Sequence, residues 1–428
     1  MTNHRTPLEP KADKDTVRRH NLSLVLRAVH DEGETTRAAV AGRSGLTRAA
    51  VSSLTEELLA GGFLTESGKA FSGQAGRPGT VLKVARTGFA GLGVEINIDY
   101  VTVCVVDLAG TDRVRLTEHV DNRDVPPTEV IARAARIAAH ALESAAEQDL
   151  HPAAAHLALP GLVSGGVVRH APNLRWNRVA AEGMFAQALS KLRLMKPPHP
   201  AADPAPRPLP VTTGNEADAA ALAELWFGRL GKVRSFLYLT GEIGIGGALL
   251  VDGELLGGAH GFAGEIGHFV VDEEGPECRC GARGCLEQYA GQAALLRAAG
   301  IAEGAGQPGV AALERRALEG DDQARAAIAV AGRRLGLVLS GAVNLVDPDA
   351  VVLGGTFRAL MPWLRDPIER CLERRVVSGL WGAGSGRLRA SSVAGDAARG
   401  SAALVVRDVR ADPQGYAERA ATTRGRHR

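Results

Sequence analysis

Gly264-Glu265-Ile266-Gly267-His268, followed by Cys278-Arg279-Cys280-Gly281-Ala282-Arg283-Gly284-Cys285-Leu286-Glu287, is the stretch that says most about this chain. Three of the five cysteines (Cys104, Cys278, Cys280, Cys285 and Cys371) crowd into it. In a long cytosolic chain that crowding favours metal binding over disulfides. Three thiolates and one imidazole complete a tetrahedral zinc site, so His268, Cys278, Cys280 and Cys285 are expected to hold one structural Zn2+ per chain. With no coordination position left open, such an ion organises structure and performs no hydrolysis. The glycines between the ligands let the chain fold back around it. The plainer alternative is three free buried cysteines beside a solvent histidine, an oxidation liability without a metal.

On either side of this stretch, strand-like and helical segments alternate. Gly91–Leu108, Ala155–Leu159, Pro210–Thr213, Ser235–Thr240 and Ala350–Leu353 have the β-branched, apolar character of strands. Between them Val130–Gln148, Asp218–Phe227, Leu286–Ala298 and Asp322–Asn344 are Ala-rich and helical. That alternation predicts an α/β body. Residues 196–210 are rich in proline and predict an extended surface loop. No internal repeat is visible.

The first 86 residues differ in character. The pattern Val17, Leu22, Leu24, Val25, Leu26, Val29 predicts a helix over Lys14–Val29 with a buried stripe. Thr36 then caps a short helix, Gly45 supplies a tight turn, Leu46 seals the inter-helix core and Thr47 caps a second helix. On that second helix Val51, Leu54 and Leu58 share one face, while Arg48, Ala49, Ser52, Ser53 and Glu56 share the other. A face of small polar residues led by an arginine suits entry into the major groove of DNA. Strand-like Phe63–Glu66 and Thr80–Val84 flank Gly76-Arg77-Pro78, a narrow arginine tip placed where a wing would enter a minor groove. The candidate DNA contacts are Arg37, Thr47, Arg48, Ala49, Ser52, Ser53 and Arg77; the alternative is a plain three-helix scaffold with a solvated face.

Composition sets the outer bounds. A chain of 428 residues implies two or three domains. Aromatic residues make up only 4%, so Val, Leu and Ala must build most of the cores. Residues 1–86 carry 13 basic and 9 acidic side chains, a formal +4 against −2 for the remainder: a modestly basic head. No run of 18 apolar residues occurs and the N-terminus is polar, so a cytoplasmic protein without a membrane partner is expected. The expected division is a disordered N-terminus (1–13), a winged helix-turn-helix (14–86), a first α/β lobe (87–217), a second lobe with the metal motif (218–395), a helix returning to the first lobe (396–410) and a disordered tail (411–428).

With these motifs in place the sequence resembles the ROK family, which joins sugar-responsive repressors and sugar kinases. The zinc stretch carries most of the resemblance. Leu159-Pro160-Gly161-Leu162-Val163, Ala171-Pro172-Asn173-Leu174-x-Trp176, Gly244-Ile245-Gly246-Gly247 and Val351-Val352-Leu353-Gly354-Gly355 add to it, as does the Gly76-Arg77-Pro78 tip typical of the repressor branch. The resemblance implies an actin-like, ribonuclease-H-like pair of lobes with a cleft between them. It also implies a sugar held by Asn215, Glu216, Glu265, His268 and Glu287, whose carboxylates would accept hydrogen bonds from vicinal hydroxyls.

Two departures bear on function. Kinases of this family place an aspartate general base after the asparagine; here that position is Glu216, one methylene longer. The kinases also carry Asp-x-Gly-Gly-Thr in the first phosphate turn, where this chain has Glu95-Ile96-Asn97-Ile98-Asp99. The second glycine-rich loop gains Glu242. The expected protein is therefore a DNA-binding transcriptional regulator, a repressor without enzyme activity. Its expected partners are a palindromic double-stranded DNA operator, a sugar or sugar-phosphate effector, and further copies of itself in a homodimer or homotetramer. The competing readings are a bifunctional sugar kinase with a DNA-binding head, and a regulator with a vestigial pocket that answers to a protein.

Overall fold

A computed structural model of the chain describes residues 13–70, 79–195, 208–393 and 397–424. The expected N-terminal tail up to residue 12, most of the proline-rich loop and the wing tip with Arg77 lie outside the described residues.

The head is built from short-range signals. Asp13 caps α1 (Lys14–Glu32), which ends at Gly33. β1 (Glu34–Thr36) leads into α2 (Arg37–Ser44), capped by Thr36 Oγ1 accepting from the Ala39 amide at 3.3 Å. Gly45 turns the chain in the left-handed region at φ 70°, and Thr47 caps α3 (Arg48–Ala60). β2 (Leu64–Ala70) and β3 (Gly79–Val84) then form an antiparallel hairpin, with β1 added on the far side of β3. Val51, Leu54 and Leu58 of α3 are buried against Leu22, Val25, Leu26 and Val29 of α1, each worth roughly 1.5–3 kcal/mol of burial. Two capped helices meet at the Gly45 turn with a hairpin behind them, where the helix-turn-helix is expected.

The first lobe carries β4 (Gly88–Ile96), β5 (Tyr100–Asp107) and β6 (Asp112–His119) as an antiparallel meander, then α4 (Pro127–Ala146). β7 (Leu150–Leu159) joins parallel to β4. A small sheet of β8 (Leu162–Ser164), β9 (Val167–Ala171) and β10 (Trp176–Val179) follows, then α5 (Ala181–Met195) and β11 (Val211–Asn215) beside β7. The five-stranded order is β11-β7-β4-β5-β6.

The second lobe repeats this plan. After α6 (Glu216–Phe227), β12 (Phe236–Gly241), β13 (Ile245–Val251) and β14 (Glu254–Leu255) form a meander. α7 (Glu287–Ala290), α8 (Gln292–Ala298), α9 (Gly306–Glu319) and α10 (Asp322–Val346) precede β15 (Ala350–Gly355), which lies parallel to β12. α11 (Thr356–Ala359), α12 (Met361–Arg375) and β16 (Leu388–Ala390) complete it, in the order β14-β13-β12-β15-β16. The two sheets thus share one topology, the paired lobes expected from the family resemblance. The single helix expected over Leu286–Ala298 is instead α7 and α8, broken at Gly291. α10 is long and apolar enough to cross a membrane, yet most of its apolar stretch is buried against α7, α8, α9 and α12.

α13 (Ala397–Ala411) returns to the first lobe and packs on β4, β5, β7 and α6. The tail expected to be disordered from residue 411 instead forms α14 (Pro413–Arg424), which packs with α13 against α1. Tyr416 and Ala417 supply the apolar surface that Ala-rich flanks had obscured. The head is welded to the body through one continuous core: Leu22, Val25 and Val29 join Cys104, Val106, Ala402, Val405, Val406 and Val409. Phe63 stacks on Phe89 with ring centroids 4.8 Å apart, worth about 0.5–1.5 kcal/mol beyond the area buried.

Candidate functional site: a carboxylate-lined cleft beside a Cys3His knuckle

The four expected metal ligands converge. The ligand atoms of His268, Cys278, Cys280 and Cys285 all lie within 4.8 Å of one another. Cys280 Sγ and Cys285 Sγ are 3.7 Å apart, and Cys278 Sγ lies 3.8 Å from His268 Nδ1. A tetrahedron with Zn–S bonds of about 2.3 Å has edges of about 3.8 Å, so the donor set fits a zinc-sized ion. Burial and the neighbouring thiols push the Cys285 thiol up to about 12. Only a cation would hold these sulfurs as thiolates near neutrality. Bridges Val270–Cys285 and Glu277–Arg283 fold the loop into a knuckle. Tyr289 donates to Asp272 at 2.9 Å, and Arg334 of α10 lies over the Tyr289 ring, which anchors the knuckle to the second lobe.

His268 has two faces. Nδ1 points at the thiols, while Nε2 lies 3.9 Å from Glu265 Oε2 on the cleft side. One ring thus connects the candidate metal ligands to the cleft. Glu265 sits just before the short 3-10 turn Ile266–His268, and Glu287 opens α7. Glu287 Oε2 accepts from the Ile245 amide at 3.1 Å, tying the knuckle to the start of β13. Burial raises the carboxyls of both Glu265 and Glu287, offset in part by His268.

Asn215 and Glu216 stand where β11 passes into α6. Asn215 Oδ1 caps α6 through the Ala217 amide at 2.7 Å, and its Nδ2 donates to the Gly161 carbonyl at 2.9 Å. Glu216 Oε2 is buried and accepts no hydrogen bond. Burial first, then Glu95, Glu242, Glu265 and Asp99, push its carboxyl well above the usual range. All five expected sugar-site residues, Asn215, Glu216, Glu265, His268 and Glu287, line one cleft with Asn97, Ile98, Asn173, Glu242 and Arg279. Arg279 of the knuckle reaches across to the other lobe and donates to Asn173 Oδ1 at 3.1 Å. That cross-cleft pair was not legible in the sequence beyond the presence of Asn173 in its short motif.

The far end of the cleft is closed on itself. Asn97 Oδ1 accepts from the Ile98 amide at 2.6 Å, and the Asn97 carbonyl accepts from Asn122 Nδ2 at 2.7 Å. Glu95 accepts from the Tyr100 hydroxyl and, through Oε2, from the Ala398 amide in the first turn of α13 at 3.2 Å. A buried carboxylate next to the cleft-lining Asn97 and Ile98 thus holds the helix that packs against the head. Glu242 accepts from Gln307 Nε2 at 3.4 Å; burial, then Glu95 and Asp99, raise its carboxyl to about 8.

In the head, Arg48, Ala49 and Ser53 are exposed along α3, and Ser52 is half-buried. Thr47 is spent on the cap. Arg37 does not stand free, because its guanidinium pairs with Glu66 of β2 at 2.8 Å.

Duplicated lobes, a cleft between them and a Cys3His knuckle at its lip define a class: residues 206–408 match the ROK family. The chain is similar to transcriptional regulators that carry this family's body. It is 28% identical over 349 residues to the xylose repressor of Caldicellulosiruptor bescii, covering 78% of this chain and 82% of the relative. It is 26% identical over 381 residues to the DNA-binding transcriptional dual regulator NagC of Escherichia coli K12, covering 85% and 87%. A ROK family transcriptional regulator homologous to the E. coli MLC protein shares the fold with a TM-score of 0.74, at 23% identity over 94% of this chain and 99% of its own. A ROK family glucokinase from Streptomyces griseus, solved with glucose and AMPPNP, matches with a TM-score of 0.58 at 26% identity, over 74% of this chain and 98% of its own.

Proposed function

We propose that the protein is a sugar-responsive transcriptional repressor whose kinase-like cleft binds a sugar without phosphorylating it. The observation that carries this is a helix-turn-helix head joined through one hydrophobic core to a body whose phosphate end is occupied by its own carboxylates. Arg48, Ala49, Ser52 and Ser53 would face base edges in the major groove, with Thr47 and Arg37 near the backbone and Arg77 at the wing tip. Two heads in a homodimer or homotetramer would read a palindromic operator, since half-site spacing follows the protein's two-fold symmetry.

Asn215, Glu216, Glu265, His268 and Glu287 would hold the sugar hydroxyls. Zn2+ on His268, Cys278, Cys280 and Cys285 would fix the ring of His268 and the approach of Glu265. Phosphoryl transfer is disfavoured on two grounds. Glycine amides are missing from the Glu95-Ile96-Asn97-Ile98-Asp99 turn, and the carboxyls of Glu95, Asp99, Glu216 and Glu242 crowd the end where a triphosphate would lie. Sugar binding would draw the lobes together at the Arg279–Asn173 contact. The movement would reach the head through α13, held at one end by Glu95 and packed against α1 near the other.

Fluorescence anisotropy with a labelled promoter fragment tests this. Binding should be saturable and sequence-selective at physiological salt, and the effective sugar should shift operator affinity by roughly 5–150-fold. ATP-dependent phosphorylation of that sugar by the wild-type protein would promote the bifunctional kinase instead.

A further inference from the structure

A groove of about 650 Å³ lies outside the cleft, between α10 and α12. That volume is in the range of small-molecule sites. The two helices pack tightly along its floor: a β-carbon on Gly332 would stand 2.6 Å from Pro367, and one on Gly336 would stand 2.6 Å from Cys371. Over that seam stand four arginines, Arg333 and Arg334 from α10 and Arg374 and Arg375 from α12, and the described residues that line the groove include no carboxylate.

The acids of α12 are committed elsewhere. Asp366 pairs with Arg370, Glu369 pairs with Arg365, and Glu373 is turned toward Gly382. Arg333, Arg374 and Arg375 are exposed, and among the described residues none of the three pairs with a carboxylate. Arg374 Nε donates to the Arg370 carbonyl at 3.1 Å. The last turn of a helix is a usual place for cations, which accounts for Arg374 and Arg375. It does not account for Arg333, in the middle of α10, whose helical neighbours Ala329, Val330, Gly336 and Leu337 offer it no acid.

Arg334 ties the groove to the knuckle. Its guanidinium donates to the Val271 carbonyl at 3.0 Å, pairs with Asp272 at 3.6 Å and lies over the Tyr289 ring. An anion in the groove competes with Asp272 for that guanidinium. An arginine fork matches the oxygens of a phosphoryl group, and arginines on both walls suit a ligand with two such groups. A second copy seated groove to groove across a two-fold axis would set arginine against arginine. α3 belongs to the head, whose core is shared with the first lobe, whereas this groove lies on the second.

We propose that the groove between α10 and α12 binds a small compound carrying two phosphoryl groups, and that its occupancy is signalled to the knuckle through Arg334. The site stands apart from the cleft and does not depend on what the cleft holds.

Isothermal titration of the full-length protein with inorganic phosphate, 3-phosphoglycerate and 2,3-bisphosphoglycerate tests the proposal; none of the three carries a sugar ring. The bisphosphate should bind at one site per chain, roughly tenfold or more tighter than inorganic phosphate. In Arg333→Ala, and separately in Arg375→Ala, its affinity should fall by roughly tenfold. Hydrogen exchange should show the amides of residues 270–286 exchanging faster with the bisphosphate bound, as Asp272 loses its partner, and Arg333→Ala should abolish that change at the same ligand concentration. No binding, equal binding of all three anions, or binding that both variants retain overturns the site. Bisphosphate binding that leaves exchange in the knuckle unchanged overturns the signalling through Arg334. Variants that bind the bisphosphate like wild type but lose operator affinity, or change oligomeric state in sedimentation, assign the groove to DNA or to a second copy and overturn the proposal.

Discussion

Replacing Gly93 with alanine strikes the proposed junction between the cleft and the head. Gly93 lies in β4, and α13 is seated directly on it. A β-carbon at this position would stand 2.5 Å from the Ala402 amide nitrogen and 3.0 Å from the Ala398 carbonyl carbon, and would overlap the Ala398 oxygen. Restoring an ordinary contact near 3.4 Å requires α13 to retreat by about 0.9 Å for the Ala402 nitrogen alone, and by more for the Ala398 oxygen. The obstructing atoms are helix backbone, which cannot turn aside as a side chain does, and Gly400 seats the other side of α13 against the Ala219 carbonyl of α6. Overpacking of this kind costs about 1–3 kcal/mol, and the confined backbone places Gly93→Ala near the upper figure. Gly341→Ala is the control: it lies on the exposed face of α10 with nothing within 4 Å of the added carbon. It should stabilise by about 0.5–1 kcal/mol through helix propensity. Urea unfolding measures both effects, with the midpoint shifting at unchanged slope. Because α13 also packs on α1, Gly93→Ala should in addition shrink the sugar-dependent change in operator affinity while leaving sugar binding measurable. Stability within about 0.5 kcal/mol of wild type, together with an undiminished response, would refute the reasoning.

Three further expectations concern separate parts of the molecule. Arg48→Ala should relax discrimination at one base pair by about 1–3 kcal/mol, whereas Arg77→Ala should weaken binding at A·T-rich flanks; selection from a randomised operator library separates the two. Freshly purified protein should contain one zinc per chain by elemental analysis, and Cys280→Ser should lose both the metal and the sugar response while operator binding by the head survives. The carboxyl of Glu242 rises from 4.5 to about 8 on folding, so the folded chain keeps a proton that the unfolded chain releases. Stability from this group is therefore lost as pH rises from about 4.5 to 8, and Glu242→Gln should flatten that part of the thermal-midpoint profile; an unchanged profile would count against the acidic cluster.

Much of the head and the metal knuckle was legible along the chain because their determinants are short-range. Asp13, Thr36 and Thr47 cap helices three residues away, Gly45 makes a turn that needs φ > 0, and the knuckle draws its four ligands from one short stretch. The α/β alternation was legible too, and the five cleft residues, each part of a short motif, line one cleft. What the sequence could not display is whatever depends on distant segments meeting. The two lobes share a strand order without a visible repeat, because topology constrains only which positions are apolar. Pro367 marks α12 as an unpromising helix, yet Gly332 of α10 leaves the room its ring needs. The tail forms α14 because Tyr416 finds the apolar core around α1. Arg37 pairs with Glu66, Arg279 reaches Asn173 across 106 residues, and Glu95 holds the start of α13 across 303. Local hydrogen bonds and turn geometry are written into neighbouring residues. The division of His268 between thiols and cleft, the gathering of carboxylates at the phosphate end and the seating of the head on α13 arise only when packing brings remote segments into contact.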